Sequence, residues 1–272
     1  MKSRLLFIVR LSVAGAALSV LAGCKLVQGE GSSMNGTTRT RDSSGLSEGR
    51  LAARPGRVKT VGPAGLQPLK LEGGRDGLVY VPAGAGGGRP APLMLLLHGA
   101  GGSARHTVSL LRGLADKSGM ILLVPDSRGG TWDVIEGGYG PDVAFIDRAL
   151  GQTFGRYNVD PARVAAGGFS DGASYALSLG ATNGDLFTHV VAFSPGFMSP
   201  ASRHGSPALF VSHGTQDRVL PIDACSRRIV PRVKAAGYSV RYKEFDGPHT
   251  VPPDVAAEAV AWFLEAGAAG GG

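Results

Sequence analysis

The chain has 272 residues, of which 43% are hydrophobic, enough to build one sizeable core in a single domain. Its formal net charge of +7 suggests an anionic partner, but the whole excess lies before residue 61. From residue 61 onward there are 18 basic and 18 acidic side chains, which argues against nucleic-acid binding.

The first 24 residues predict an export signal, in which basic residues precede an apolar run and the segment ends at Leu21-Ala22-Gly23-Cys24. The apolar run is too short for a convincing membrane span. Its ending resembles the bacterial lipobox, and this resemblance implies cleavage before Cys24 and attachment of diacylglyceryl to the sulfur. By the same resemblance, Lys25 rather than Asp after the cysteine implies the outer membrane if the cell is Gram-negative. The alternative is an ordinary signal peptide with an incidental cysteine.

Residues 24–62 are predicted to be the lipidated cysteine followed by a flexible basic tether, because they are rich in Gly, Ser, Thr, Asn and Arg and lack apolar periodicity. Residues 63–265 are the predicted catalytic domain, and residues 266–272 a disordered tail. With Cys24 lipidated, Cys225 has no cysteine left to pair with, and we expect it to be buried and inert.

Within residues 63–265, apolar runs typical of buried strands alternate with helical patterns. The first two predicted strands flank a glycine-rich turn and therefore form a hairpin, whereas the last one alternates in polarity and suits a sheet edge. The predicted fold class is α/β, with a doubly wound, mostly parallel sheet. The predicted strands are 69–71, 78–81, 93–97, 120–124, 164–169, 190–193, 209–212 and 238–245, and the predicted helices are 108–117, 143–150, 173–179, 223–236 and 254–264.

The predicted nucleophile is Ser170, in the motif Gly-Phe-Ser-Asp-Gly at 168–172 between a strand and a helix. A serine hydroxyl attacks efficiently only when it is exposed and paired with a base. A sharp strand-to-helix turn exposes it, and Gly168 and Gly172 supply the space that this turn needs. In a chain with 43 glycines the motif alone is weak evidence.

The motif His-Gly-Ala-Gly-Gly at 98–102 follows the first buried strand. Acyl transfer needs two N–H donors at the developing oxyanion, which we assign to Ala100 and to Asp171, with Gly99 beside the substrate. The same stretch, with Asp126 after the next strand, also fits a dinucleotide-binding fingerprint. Taken alone, it does not decide between the two interpretations.

Asp217 and His249 favour the hydrolase. Each follows a predicted strand, and the order Ser170, Asp217, His249 is the order of nucleophile, acid and base in α/β-hydrolases. A dinucleotide-binding fold has no reason to place these groups in this way. His98 and His213 precede glycines at strand ends, where we expect them to brace loops.

The chain resembles α/β-hydrolases of the esterase group that includes carboxylesterase and acyl-protein thioesterase-like, dienelactone-hydrolase-like and polyhydroxybutyrate-depolymerase-like proteins. The resemblance covers residues 68–265 and implies a triad in which Ser170 attacks, His249 moves the proton and Asp217 orients the imidazole. Asp171 stands where thioesterase-like members commonly have glutamine, which leaves the substrate open. The motifs that carry the resemblance are 95–99, 168–172, 212–217 and 247–249.

Relatives often insert a helical cap where this chain has only residues 194–207, so we expect no cap domain and an open cleft. Trp132 follows a strand end and is predicted to bind substrate, with core packing as the alternative. The function predicted is hydrolysis of short-chain, polyester or polysaccharide acyl esters by a monomer that uses no metal or cofactor. The alternatives are a thioesterase or peptidase, or a non-catalytic binding lipoprotein.

Overall fold

The computed structural model describes residues 45–46, 48–85 and 88–265. Strands and helices alternate along this part of the chain. In chain order the elements are β1 (Gly65–Pro68), β2 (Gly77–Val81), β3 (Ala91–Leu97), α1 (Ala104–Ser118), β4 (Ile121–Pro125), α2 (Asp133–Glu136), α3 (Pro141–Arg156), β5 (Val159–Phe169), α4 (Asp171–Thr182), β6 (His189–Phe193), β7 (Ala208–Gly214), α5 (Ser226–Ala235), β8 (Val240–Phe245) and α6 (Pro253–Glu265).

One eight-stranded sheet runs through the domain in the order β1-β2-β4-β3-β5-β6-β7-β8. Strands from β4 to β8 pair in parallel, while β1 and β2 form an antiparallel hairpin whose second strand also pairs antiparallel with β4. The carboxyl ends of β3, β5, β6, β7 and β8 therefore lie at one edge of the sheet. The loops that leave these ends are neighbours although they are distant in sequence.

Helices cover both faces of the sheet because the central strands are apolar on both faces. Every residue of β3 is buried. Leu93, Leu95 and Leu97 belong to the core cluster that includes α3, α4 and α5, whereas Met94 and Leu96 belong to the cluster that includes α1 and α6. The prediction of a doubly wound, mostly parallel sheet is confirmed. Residues 194–207 contain no helix, as predicted.

The first strand lies earlier in the chain than the sequence predicts. The N–H of Leu69 still donates to the Gly77 carbonyl of β2 at 3.1 Å, but the Asp76 carboxylate accepts hydrogen bonds from the N–H groups of Lys70 (2.7 Å) and Leu71 (3.0 Å). These bonds replace the ladder bonds that a strand would make. Pairing with β2 is made instead by Gly65–Pro68.

The predicted boundary between tether and domain also needs correction. Leu51 is only 2% exposed and belongs to the main core cluster. The Asp147 carboxylate of α3 accepts hydrogen bonds from the N–H groups of Ala52 and Ala53, both at 2.7 Å. The domain therefore includes residues that the sequence assigns to the tether, because their partners are distant in sequence.

The predicted signal peptide, Cys24, the tether up to residue 44 and the tail at 266–272 lie outside the described residues. Within the described part of the chain, no helix is both long and apolar enough to cross a membrane.

Candidate active site

Ser170 occupies the single residue between the end of β5 and the start of α4. Its backbone has φ 58° and ψ −121°, which is a strained conformation for any residue with a Cβ. A Cβ on Gly168 would overlap the backbone of Gly172, and one on Gly172 would overlap the carbonyl of Leu97. The sequence therefore folds into the sharp turn that was predicted, and the turn needs both glycines.

Asp217 and His249 meet at the loops that follow β7 and β8. His249 Nδ1 lies 2.5 Å from Asp217 Oδ2. The other carboxylate oxygen accepts the N–H groups of Val219 (2.9 Å) and Leu220 (2.8 Å). Burial alone would raise the pKa of Asp217, but the hydrogen bonds from Leu220 and His249 outweigh it and lower this pKa. The carboxylate is thus held ionised beside the imidazole.

The imidazole of His249 lies at the end of β5, next to the turn that carries Ser170. Its ring centroid is 4.6 Å from that of Phe169, the residue before Ser170. The structure records no hydrogen bond between His249 and the Ser170 hydroxyl. Such bonds are often long in ligand-free enzymes and tighten when substrate binds. The three predicted groups therefore meet at one edge of the sheet, with one of the two expected hydrogen bonds formed.

The third part of the site is the pair of backbone N–H groups predicted to bind the oxyanion, those of Ala100 and Asp171. The N–H groups of Gly101 and Gly102 donate to the carbonyls of Gly130 (2.8 Å) and Gly99 (3.0 Å). Within the described residues, no acceptor is recorded for the N–H of Ala100 or Asp171. A Cβ on Gly99 would lie 3.3 Å from Ser170 Cβ, so the loop that carries Ala100 passes beside the nucleophile.

We call residues 98–102 the oxyanion loop, after their predicted role. The side chain of His98 holds this loop in place. The N–H of Ser127 donates to His98 Nε2 at 2.9 Å, so Nδ1 carries the proton and donates to the Gly99 carbonyl at 2.7 Å. Burial lowers the pKa of His98, although the bond to Gly99 opposes this effect. A neutral imidazole that bonds at both nitrogens braces the loop, which matches the expectation for this residue.

We call residues 215–220, which include Asp217, the acid loop. His213 holds this loop in place in a similar way. It is fully buried, its Nε2 donates to the Leu220 carbonyl at 2.8 Å, and its Nδ1 accepts from the Ser226 hydroxyl at 2.7 Å. Nε2 is also 3.2 Å from Asp217 Oδ2. His213 therefore fixes the loop that carries the acid.

The predicted substrate contact of Trp132 is wrong. Its side chain is fully buried and stacks on Tyr175 with ring centroids 5.2 Å apart. Its indole N–H donates to the His98 carbonyl at 2.8 Å. A side chain with no exposed surface cannot line an open cleft. Trp132 instead supports the oxyanion loop from the core through its bond to the His98 carbonyl.

Two supporting residues were not predicted. The Arg75 guanidinium donates to the carbonyls of Ser127 (2.5 Å) and Gly102 (3.1 Å), and so links the first hairpin to the oxyanion loop. The Thr131 hydroxyl donates to Asp171 Oδ2 at 2.7 Å. Arg75 lies in a glycine-rich turn and Thr131 in a loop, where a charge or hydroxyl normally signifies only solvent exposure.

Asp126, which supported the dinucleotide-binding interpretation, has a structural role. Its carboxylate accepts the N–H of Ala104 at the first residue of α1, at 2.6 Å. It therefore occupies the helix N-terminus at which a pyrophosphate would bind in that interpretation. Among the described residues, no group of three or more His, Cys, Asp or Glu is placed to hold a metal ion.

An open cavity of about 460 Å³ lies beside the imidazole. It is partly apolar, since the Val219 side chain in its wall is 66% exposed. The residues that line it are Gln216, Arg218, Val219, Pro248 and His249.

Comparison with solved structures identifies the architecture. The structure of esterase PE8 superposes with a TM-score of 0.56 at 23% identity, covering 76% of this chain and 99% of that chain. The chain has the α/β-hydrolase fold. Ser170, Asp217 and His249 follow β5, β7 and β8 of this fold.

Sequence comparison agrees with this α/β-hydrolase fold. Residues 143–265 match a family described as Phospholipase/Carboxylesterase. A protein of Nocardia uniformis named as an esterase, NocK, is 33% identical over 148 residues, which are 50% of this chain and 42% of that protein. Feruloyl esterase C of Emericella nidulans is 30% identical over 173 residues, which are 58% and 63% of the two chains. The match thus spans less than two thirds of either relative.

Proposed function

We propose that this chain hydrolyses carboxylic esters through an acyl-enzyme intermediate on Ser170. The observation that carries the proposal is the 2.5 Å contact between His249 Nδ1 and Asp217 Oδ2, next to a serine at a strained strand-to-helix turn. The family match over residues 143–265, which includes all three residues, and relatives named as esterases support it.

In the proposed reaction, the Ser170 hydroxyl attacks the ester carbonyl while His249 Nε2 accepts its proton. The proton then passes to the oxygen of the leaving alcohol as the carbon–oxygen bond breaks, which leaves Ser170 acylated. A water molecule attacks the acyl group in the same way, with His249 first taking and then returning a proton. Asp217 keeps Nδ1 protonated and stabilises the imidazolium, a role for which its lowered pKa suits it.

The tetrahedral intermediates place negative charge on the former carbonyl oxygen. In this proposal the N–H groups of Ala100 and Asp171 donate to that oxygen, because neither has an acceptor among the described residues and each follows a residue at the site, Gly99 or Ser170. Each such donor contributes about 3 kcal/mol to stabilisation of the transition state. The braced loop keeps the donors in position, so no reorganisation is needed when the charge develops.

The substrate is proposed to be a short acyl ester or an ester displayed on a polymer. Residues 194–207 form no cap, and the cavity beside His249 is open, so a large alcohol can remain outside the site. One relative is named as a feruloyl esterase, which is an ester hydrolase of this general kind. Export and membrane anchoring through Cys24 stay predictions of the sequence.

Replacement of the nucleophile tests the proposal. Ser170→Ala should reduce hydrolysis of p-nitrophenyl acetate to background and abolish labelling by a fluorophosphonate probe, because both need the hydroxyl. His249→Ala should lower kcat by a factor of about 1,000 or more. Labelling is measured by gel fluorescence and the fold is checked by circular dichroism.

A folded Ser170→Ala protein that is still labelled would contradict the assignment of the nucleophile. A wild-type protein that is neither labelled nor active would favour the non-catalytic alternative. A matched panel of ester, thioester and amide substrates would separate esterase, thioesterase and peptidase activity, which share this machinery.

A further inference from the structure

A second cavity, of about 350 Å³, lies between the β6–β7 connection and α5. We call it the arginine cavity. Its wall on the side of the active site is formed by Gly196 and Phe197, and Arg203 lies further along the same connection. Its other wall is α5, which contributes Arg228 and Arg232.

The charges of this cavity are all positive. The lining includes three arginines and no acidic residue. Among the described residues, no carboxylate lies within 4.0 Å of Arg203, Arg228 or Arg232, whereas Arg227 on the same helix pairs with both Asp223 and Glu244. Three guanidinium groups on one concave surface create a potential that attracts an anion.

The floor of the arginine cavity is apolar. Ile229 and Val233 are buried on the inner face of α5, one helical turn apart. Phe197 and Met198 are half-buried and line the cavity from the β6–β7 connection. A ligand that fits this surface has an anionic group for the guanidinium groups and an apolar body for the floor. A fully hydrated inorganic ion would leave the apolar surface unused.

The cavity wall is joined directly to the proposed catalytic residues. The N–H of Gly196 donates to Ser174 Oγ at 2.9 Å, and that hydroxyl donates to the Ser170 carbonyl at 3.2 Å. A Cβ on Gly196 would lie 3.4 Å from the Leu220 side chain, and the N–H of Leu220 bonds to Asp217. Gly196, in the wall of the arginine cavity, is therefore two hydrogen bonds away from the Ser170 backbone and contacts the loop that carries Asp217.

We propose that the arginine cavity binds an acidic group of the substrate, so that the preferred esters carry a carboxylate or phosphate on an apolar body. This inference rests on the proposed ester hydrolysis. It adds a substrate class, because the His249 cavity alone does not distinguish acidic from neutral esters.

Binding of small probes tests the inference. Hexanoate and hexyl phosphate should bind to the Ser170→Ala protein in calorimetry, and should inhibit hydrolysis of p-nitrophenyl butyrate by the wild type competitively. Hexanol, which lacks the charge, should do neither at the same concentration. The double variant Arg228→Gln/Arg232→Gln should bind both anions about tenfold more weakly, since two exposed ion pairs are lost.

Lys234→Gln is the matched control, because it removes an exposed positive charge from the same helix without touching the cavity and should leave anion binding unchanged. Arg203→Gln, on the opposite wall, should weaken binding independently of α5. Comparison of the two anions identifies whether carboxylate or phosphate is preferred.

The outcomes separate this inference from the proposed function. Hydrolysis of the neutral ester, with anion binding that is absent, non-competitive or equal in the double variant, would overturn the substrate class alone. A protein that hydrolyses no ester would overturn the proposed function and, with it, the role of the arginine cavity in substrate binding.

Discussion

Hydrogen bonds to two backbone carbonyls fix the position of Ala100, the proposed oxyanion donor. The Trp132 indole N–H binds the carbonyl of His98, and the His98 imidazole binds the carbonyl of Gly99. Both carbonyls precede Ala100, so these two bonds determine where the Ala100 N–H points. In the proposed mechanism, the preorganisation of this donor comes from the side chains of Trp132 and His98.

Trp132→Phe should lower kcat by about tenfold while leaving KM within about twofold of the wild type. Phenylalanine keeps most of the stacking on Tyr175 but cannot donate to His98, so the donor geometry loosens without loss of substrate contacts. Steady-state kinetics with p-nitrophenyl butyrate measures both constants.

Tyr157→Phe is the matched control, because it also removes one donor to a backbone carbonyl, that of Pro63, far from the site. It should cost stability but not kcat. Equal kcat values for wild type and Trp132→Phe would show that Trp132 contributes packing only.

The meeting of the three candidate catalytic residues, Ser170, Asp217 and His249, could be predicted because each follows an apolar strand and carries a functional group of the expected type. Arg75 and Trp132 could not be assigned, because their roles depend on which loops meet in space, and no local pattern encodes that. The prediction for Trp132 was wrong because a tryptophan in a loop after a strand end can face either the cleft or the core.

At the scale of elements, the connection from β4 to α3 is held by two buried carboxylates. Asp142 accepts the N–H groups of Arg128 (2.6 Å) and Asp133 (2.8 Å), and the Asp133 carboxylate accepts those of Gly140 (2.8 Å) and Asp142 (2.9 Å). These reciprocal bonds shape the loop that positions Trp132. Desolvation raises the pKa of Asp142 to about 6 and also raises the pKa of Asp133.

This shift makes stability depend on pH. The folded-state pKa of Asp142 exceeds its unfolded value, so the folded protein binds more protons between about pH 4 and pH 6. The free energy of unfolding therefore falls as pH rises through this range. Below about pH 4 the carboxyl is protonated in both states, so its stabilisation is complete and no longer changes with pH. The stability of the wild type relative to Asp142→Asn should decrease by up to about 3 kcal/mol from pH 4 to pH 7.

Urea unfolding at several pH values measures this difference. Asp254→Asn, at an exposed position in the first turn of α6, is the control for removing a carboxylate. A relative stability of Asp142→Asn that does not change with pH would mean that Asp142 titrates as it does in the unfolded chain.

At the scale of the whole molecule, the domain begins earlier than composition indicates. Most of the strands and helices could be predicted, because a buried parallel sheet requires unbroken apolar strands. Residues 50–53 could not, because the glycines and arginines around them are typical of a solvated linker. They are held by Asp147, Asn183 and Asp185, which lie 95 to 135 residues away in sequence.

Leu51→Ala should destabilise the domain by about 2–4 kcal/mol, because the side chain is buried in the main core and its loss leaves a cavity. Leu66→Ala is the matched control on β1, where the leucine is 36% exposed, and should cost much less. Equilibrium urea unfolding compares the two. Equal effects would contradict the inclusion of residues 50–53 in the domain.

The N-terminal segment is fastened to the far end of the helix that begins after Ser170. Asn183, directly after α4, donates to the Gly49 carbonyl and accepts the Leu51 N–H, both at 2.8 Å, and Arg50 donates to the Thr182 carbonyl. The contacts of residues 49–51 therefore converge on one end of α4, and Ser170 precedes its other end. Loss of these contacts would free the end of α4 opposite Ser170.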